Sequence, residues 1–426
     1  TAIYAGGLVG TQVGSITQSY ATGPVNGSYA PQSGGLIAYE GAPGSNVTNS
    51  YWDTQTTGQS SGMGGSTNGT FQATGLTTAQ FANSANMPGL TFGTTPGASG
   101  FVIVDPDGTF NNASGVNGAT RPFLLSEYST SIANAHQLQL ISLAPSASYT
   151  LMRNIDLSAA LGSSSGNWFT SNVLGDGYGF VPIGGSGHIP FLGTFDGGGH
   201  AISNLSISRY DYSGLFGYIG TGGTIQNVGV VNGTVAGGYF VGMVAGQNEG
   251  TITNVYSTGT VSGSKYVGGL VGFDANTISR SYSLAAVTAP FYAGGLVGQE
   301  DGTVSQSYAG GSVSGQQFVG GLVGLSGASA TISDAYASGA VTGTSPGTNV
   351  GGLVGYNFGT IPRTYATGAV TGSSAVGGLV GYNNGSIANS FWDTTTTGLS
   401  QGYGSNSGTF NAAGLSGGTI TSLVTT

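Results

Sequence analysis

The sequence contains no cysteine and a single lysine, Lys265, among only six basic residues. The first lack removes disulfides and thiolate metal sites. The second removes the clustered Lys and Arg that a nucleic-acid groove needs, so no nucleic-acid partner is expected. Charged residues make up 5% of the chain, where ordinary domains carry roughly a quarter. The net charge of −9 gives no attraction to an anionic bilayer. No apolar run approaches the ~18 residues that span a membrane, so no membrane insertion is expected of this segment. Strong helix formers other than alanine are scarce, which excludes a coiled coil or a helical bundle. The three histidines, His136, His188 and His200, include no pair four residues apart and no His-Glu-x-x-His, so a zinc-protease helix is absent. No phosphate loop ending in Gly-Lys-Ser/Thr occurs, and no Gly-x-Ser-x-Gly sits in a strand-then-helix context. The chain opens at Thr1 without methionine or signal peptide, as a mature or excised piece would.

Glycine is what the sequence has in excess: 83 of 426 residues, against a usual share of about 7%. Collagen's strict third-residue period is missing. Instead Gly-Gly-Leu-Val-Gly, or a close variant, recurs around Leu8, Leu36, Leu215, Met243, Leu270, Leu296, Leu322, Leu353 and Leu379. From Leu215 the intervals are 28, 27, 26, 26, 31 and 26 residues. An aromatic follows each phrase at Tyr256, Tyr282, Tyr308, Tyr336, Tyr365 and Phe391, and then an apolar point at Val261, Val313, Val341 and Val370. Each unit therefore holds three short runs of strand chemistry separated by turn residues. So small a unit cannot bury its own apolar side chains, and stacked copies can. The spacing predicts an all-β, right-handed parallel β-solenoid of ~26–28-residue coils, the hand following the general preference of parallel connections. Its architecture would rest on Gly214, Gly242, Gly269, Gly295, Gly321, Gly352 and Gly378, on the leucine column, and on the aromatic ladder.

A longer period lies above the short one. Asn49-Ser50-Tyr51-Trp52-Asp53-Thr54 returns as Asn389-Ser390-Phe391-Trp392-Asp393-Thr394, a shift of 389 − 49 = 340. The expected organisation is a preceding module's end over 1–82, an irregular connector over 83–148, lead-in coils over 149–214, the main coils over 215–391 and a module tail over 392–426. Residues 131–140 read as one short helix capped by Ser131, with Ile132, Ala135 and Leu138 on one face, covering the solenoid's open end. The repeated tryptophans Trp52 and Trp392 read as hydrophobic covers more readily than as sugar platforms.

The Gly-Gly-Leu-Val-Gly units resemble GLUG-motif repeats, with a similar lead-in from Tyr149-Thr150-Leu151 through Phe195-Asp196-Gly197-Gly198-Gly199-His200. Such repeats occur in large secreted bacterial proteins, including filamentous-haemagglutinin-like adhesins and non-catalytic regions of immunoglobulin A peptidases. The resemblance implies a secreted or surface-exposed solenoid, and it says little about activity. Export and peptidase motifs of those families are missing from this sequence.

Catalytic residues are not expected. Four residues past each motif centre lie Gln247, Asp274, Glu300, Ser326, Asn357 and Asn383, a column in which Asp274 and Glu300 are stacked neighbours with Asp301 beside them. Three readings attach to it: a turn-satisfying ladder, a weak cation site that Ca²⁺ would fill, or a carboxylate pair of a carbohydrate-active β-helix enzyme. Asp105-Pro106-Asp107-Gly108 and Gly175-Asp176-Gly177 read as turns. The leading expectation is a non-enzymatic structural or adhesive solenoid, secreted or at the cell surface. Its partners would be other copies or modules end to end, and host or matrix glycans or proteins met by many weak contacts.

Overall fold

The computed structural model describes residues 4–27, 32–65, 69–113, 115–168, 178–185 and 189–416. The chain is a parallel β-solenoid of about 15 turns with coils about 26 residues apart. It divides into two compact units, the first of Thr1–Ser129, His136–Leu143 and Ser158–Val181, the second of Thr130–Ala135, Ala144–Leu157 and Pro182–Thr426.

In the second unit the strands stack on their own sequence repeats. Eight short strands, from Phe216–Ile219 to Tyr403–Asn406, form one parallel stack. Val271, Val297, Val323, Val354 and Val380 pair in register along it. The other faces follow the same rule, with Ile252, Ile278, Val304 and Ile332 in one fully buried column. Leu215, Leu270, Leu296, Leu322, Leu353 and Leu379 fill the core at 0% exposure. The apolar groups are thus paired with themselves, which lets every coil bury the face that it could not bury alone.

The motif's two glycines make the corner between coils. Leu296 donates its N–H to the Leu322 carbonyl at 2.8 Å, and Leu270 donates to that of Leu296 at 3.0 Å. At this approach a Cβ on Gly295 would stand 2.1 Å from the Gly321 carbonyl oxygen and 2.8 Å from Ala309 Cβ. Gly269, Gly321 and Gly352 meet the next coil's carbonyl in the same way. Backbone contact, not turn conformation, requires glycine there.

One motif is placed differently from the sequence reading. In Gly242-Met243-Val244-Ala245, Ala245 pairs with Val271 and the Val244 N–H reaches the Leu270 carbonyl. Val244 therefore holds the leucine position and Met243 the place of the second glycine. The short helix expected near 131–140 is present, over a narrower span. Ser131–Ile132 is a strand paired with Thr150–Leu151, and the helix covers only Ala135–Gln139, followed by a 3₁₀ turn at Leu140–Leu143. Buried Ile132 gains more from the sheet than from a helix whose next residues, Ala133 and Asn134, supply no apolar face. A second five-residue helix, Ser158–Gly162, carried no clear sequence signal.

In the first unit, strands Asn46–Asp53 and Thr70–Leu76 pair in parallel with a bulge between Thr48 and Ser50. The second unit repeats this at Ser386–Asp393 and Thr409–Leu415, with the bulge between Ala388 and Ser390. The 340-residue period is thus a repeat of structure down to its irregularities.

Gly295→Ala is expected to cost about 1–3 kcal/mol or more, because the obstacle is backbone that cannot turn aside. Gly23→Ala, at an exposed site with nothing within 4 Å of the added Cβ, should be nearly neutral. Urea unfolding of the two variants checks the pair.

Candidate functional site: the buried polar column

The polar column runs through Asn248, Asp274, Glu300, Ser326, Asn357 and Asn383, all at 0% exposure. Register places Asn248, not Gln247, opposite Asp274; Gln247 pairs with Phe273 on the outer side, the same one-residue offset that moves Met243. Each amide does two jobs. Asn357 Oδ1 accepts the Gly359 N–H at 3.0 Å and closes its turn, while Nδ2 donates to Asn383 Oδ1 on the next coil at 2.8 Å. Asn383 Nδ2 continues to Asn406 Oδ1 at 2.7 Å. Asn248 closes the Gly250 turn in the same way and donates to Asp274 Oδ1. An amide carries a donor and an acceptor, so it can be stacked on its own kind indefinitely.

Asp274 and Glu300 interrupt that ladder. They face each other in register. Glu300 Oε1 accepts the Gly302 N–H at 2.8 Å. Burial, the largest cause, pushes Asp274 up to about 7, and burial with the neighbouring Asp274 charge holds Glu300 well above the usual carboxylate range. Asp274 Oδ2, Glu300 Oε2 and Ser326 Oγ have no hydrogen-bond partner. Three free oxygens fall short of the six to eight that Ca²⁺ takes, and among the described residues no three acidic or histidine side chains gather around a common point. Asp301 lies apart from the pair, half-buried, its carboxylate accepting from Gln299 Nε2 at 3.1 Å.

The outward columns are aromatic. Tyr256, Tyr282, Tyr308, Tyr336 and Tyr365 stack with centroids 4.7–5.2 Å apart and planes within 10°. Phe391 pairs in register with Tyr365 at the end of this column. These rings are half-buried, so their faces cover one another and their edges meet solvent. A second ladder of Tyr212, Phe240, Tyr266, Tyr292 and Phe318 went unread in the sequence. Its residues sit at φ of 49° to 58°, where bulky side chains are rare. Its signal was an aromatic two residues before the motif's first glycine in successive coils. Lys265 Nζ lies 4.6 Å from the Tyr266 ring centroid and 5.2 Å from that of Tyr292, a cation–π contact.

The remaining candidates are structural in placement. Trp52 and Trp392 are buried, and each donates its indole N–H to a carbonyl seven residues on at 3.0 Å, Gln59 and Leu399 respectively. Asp53, beside Trp52, is bonded at 2.9 Å to Arg121, both fully buried. That pairing was invisible in sequence, where no spacing links Arg121 to Asp53. His136 Nδ1 lies 2.7 Å from Glu127 Oε2, and the His200 N–H closes a turn onto Gly197. Asp105 and Asp107 accept from Thr109 in a turn, as expected. His188 and Gly175-Asp176-Gly177 lie outside the described residues.

With this geometry in hand, comparison with known proteins finds three likenesses, each over part of a chain. Residues 317–342 match the GLUG motif. A halomucin from Haloquadratum walsbyi is 42% identical over 132 residues, 30% of this chain and 1% of that protein. The chain thus spans about 1% of the length of that relative. Among solved structures, a candidate immunoglobulin A1 protease from Bacteroides ovatus is similar at a TM-score of 0.46 and 23% identity, over 69% of this chain and 86% of that one.

Two expectations follow from the columns. Because the folded-state pKa values of Asp274 and Glu300 are raised, the pair's contribution is complete below the ordinary carboxyl value near 4 and is lost as pH rises through about 7 and beyond. The loss is at most about 1.4 kcal/mol per pH unit for each group. Asp274→Asn would continue the amide ladder. It should equal the wild type near pH 4 and exceed it in thermal stability at pH 8, as read by calorimetry. Tyr308→Ala removes two ring contacts and should cost about 1–2 kcal/mol, whereas Tyr308→Phe keeps both and should be close to neutral.

Proposed function

We propose that the chain is a segment of a large secreted or surface-exposed protein and works as a non-enzymatic structural and adhesive rod. One observation carries the reading. The carboxylate pair that the repeat brings together, Asp274 and Glu300, is sealed inside the coil at 0% exposure, where no substrate reaches it. What the coils present outward is repetition: half-exposed tyrosines about one strand spacing apart, with rows such as Thr251, Thr277 and Thr303 in register beside them. A surface of that kind offers many equivalent weak contacts, and these add when the partner is also repetitive, as a glycan or matrix polymer is. The GLUG motif and the stretch shared with a halomucin support a surface role. The 340-residue structural repeat supports an array of modules joined end to end.

Electron microscopy of dilute protein tests the rod, and binding to immobilised glycans and matrix proteins as monomer and as clustered multimer tests adhesion. Straight rods, with a gain in binding on clustering of at least ~10²-fold, are the expected results. Polysaccharide hydrolysis or elimination that disappears in the Asp274→Asn, Glu300→Gln double variant would overturn the reading.

A further inference from the structure

The coil end at Asn46–Leu76 is built again at Ser386–Leu415, and the two differ in what covers them. At the first, Asp53 Oδ1 accepts the backbone N–H groups of Gln55 and Thr56 at 3.0 and 3.1 Å. Its Oδ2 accepts from Arg121 Nη2 at 2.9 Å and from Thr78 Oγ1 at 2.8 Å. The Gly89 N–H donates to Tyr51 Oη at 2.9 Å. Phe81, Met87, Leu90 and Phe101 pack on Tyr51 and Leu76, which are each 5% exposed. Residues 77–125 are thus a cap, fixed by an arginine and by apolar side chains.

At the second, Asp393 Oδ1 accepts from Thr395 and Thr396 at 2.8 and 3.2 Å, so its turn is the same. Its Oδ2 takes no hydrogen bond from any described residue. Phe391 and Leu415, the counterparts of Tyr51 and Leu76, are only half-buried. The sequence after Leu415, Ser416-Gly417-Gly418-Thr419-Ile420, does not repeat Thr77-Thr78-Ala79-Gln80-Phe81.

We infer that the coil end at Phe391, Asp393 and Leu415 is a docking surface for the arginine-bearing cap of another copy of this module. The guanidinium would bind Asp393 Oδ2, and the cap's apolar residues would cover Phe391 and Leu415. The same chain shows the occupied form of this surface at 2.9 Å, and the carboxylate supplies the complementary charge. A buried Asp–Arg pair adds more to register than to affinity, because both ions lose their water. It would therefore select a cap carrying arginine at the right place over any other apolar segment. The inference rests on the modular reading above, and it is tested by a measurement that does not depend on rods or adhesion.

The test is hydrogen exchange of the whole chain, extended after Leu415 by a second copy of residues 77–168. Amides of 391–396 should slow at least about tenfold, toward the protection of 51–56. The gain should vanish when the arginine of the added copy becomes alanine, and shrink in Asp393→Asn, which keeps the turn's acceptor. A second variant guards against misfolding of the addition: the original chain with residues 46–76 replaced by 386–415, so that the existing cap meets the second coil end. Native protection of 77–125 in that chimera supports the surface. Loss of protection there, or an added copy that exchanges as a free tail, overturns it. In the unextended chain, self-association that Asp393→Asn abolishes would assign the cap to a separate molecule; protection confined to the extended chain assigns it to a module of the same polypeptide. Straight rods in the microscope together with unprotected 391–396 amides would remove this inference and leave the rod standing.

Discussion

The in-register stacking of each coil on the next, one strand spacing away, is the constraint from which the rest of the molecule follows. In the inner columns of the second unit a side chain meets its own kind, or a close one, along the axis. A residue type is tolerable in a column only if it can be placed on itself. Leucine, valine and isoleucine can, and they fill the interior at 0% exposure. Asparagine can, because it donates and accepts at once. Tyrosine can, face to face at under 5.3 Å. Like charges cannot, since they repel when directly opposite. A charged content of 5% is what that rule leaves.

The exceptions show how strictly the rule operates. Where acids meet in the column, at Asp274 and Glu300, burial and their closeness raise both carboxyls and favour the uncharged form over two charges. Where basic residues enter the corner column they alternate with other types: Asn254, Arg280, Gln306, Asp334, Arg363, all at positive φ. Arg363 and Asp334, neighbours in that column, pair at 2.6 Å in solvent, a contact of little energetic weight that nevertheless avoids repulsion. Lys265 lies over stacked tyrosines, not beneath another cation.

Much of this was legible from spacing alone, because a stacked fold writes its register into the sequence as a period. The glycine corners, the leucine core, the first tyrosine ladder and the doubled coil end could all be read from recurrence. What recurrence could not give falls into two kinds. One is slippage within a repeat: Gly242-Met243-Val244-Ala245 looks like a motif centred on Met243, and only hydrogen bonding shows that Val244 fills the core and Asn248 the column. The other is any contact between residues without a periodic relation. Arg121 and Asp53 are 68 positions apart, and no interval announces their meeting. The helix near 131–140 is there over Ala135–Gln139, but its start was misread for a related reason, since Ile132 is claimed by a strand whose partner, Thr150–Leu151, lies outside the local window.

The same division orders the functional reading. Periodic residues make length, and length with repetition gives a surface of equivalent sites but no particular address. Particularity enters at the aperiodic contacts, of which the buried Asp53–Arg121 pair is the clearest. A coil end bearing only apolar groups and open strand edges would accept any flat β-surface, which is the hazard of unprotected edges. A carboxylate held at that end by its own turn, with one oxygen left over, makes acceptance conditional on a guanidinium. On the inference drawn above, two tasks that a globular domain performs with one core are separate: stacking supplies stability coil by coil, and a single ion pair would select which cap the coil end accepts.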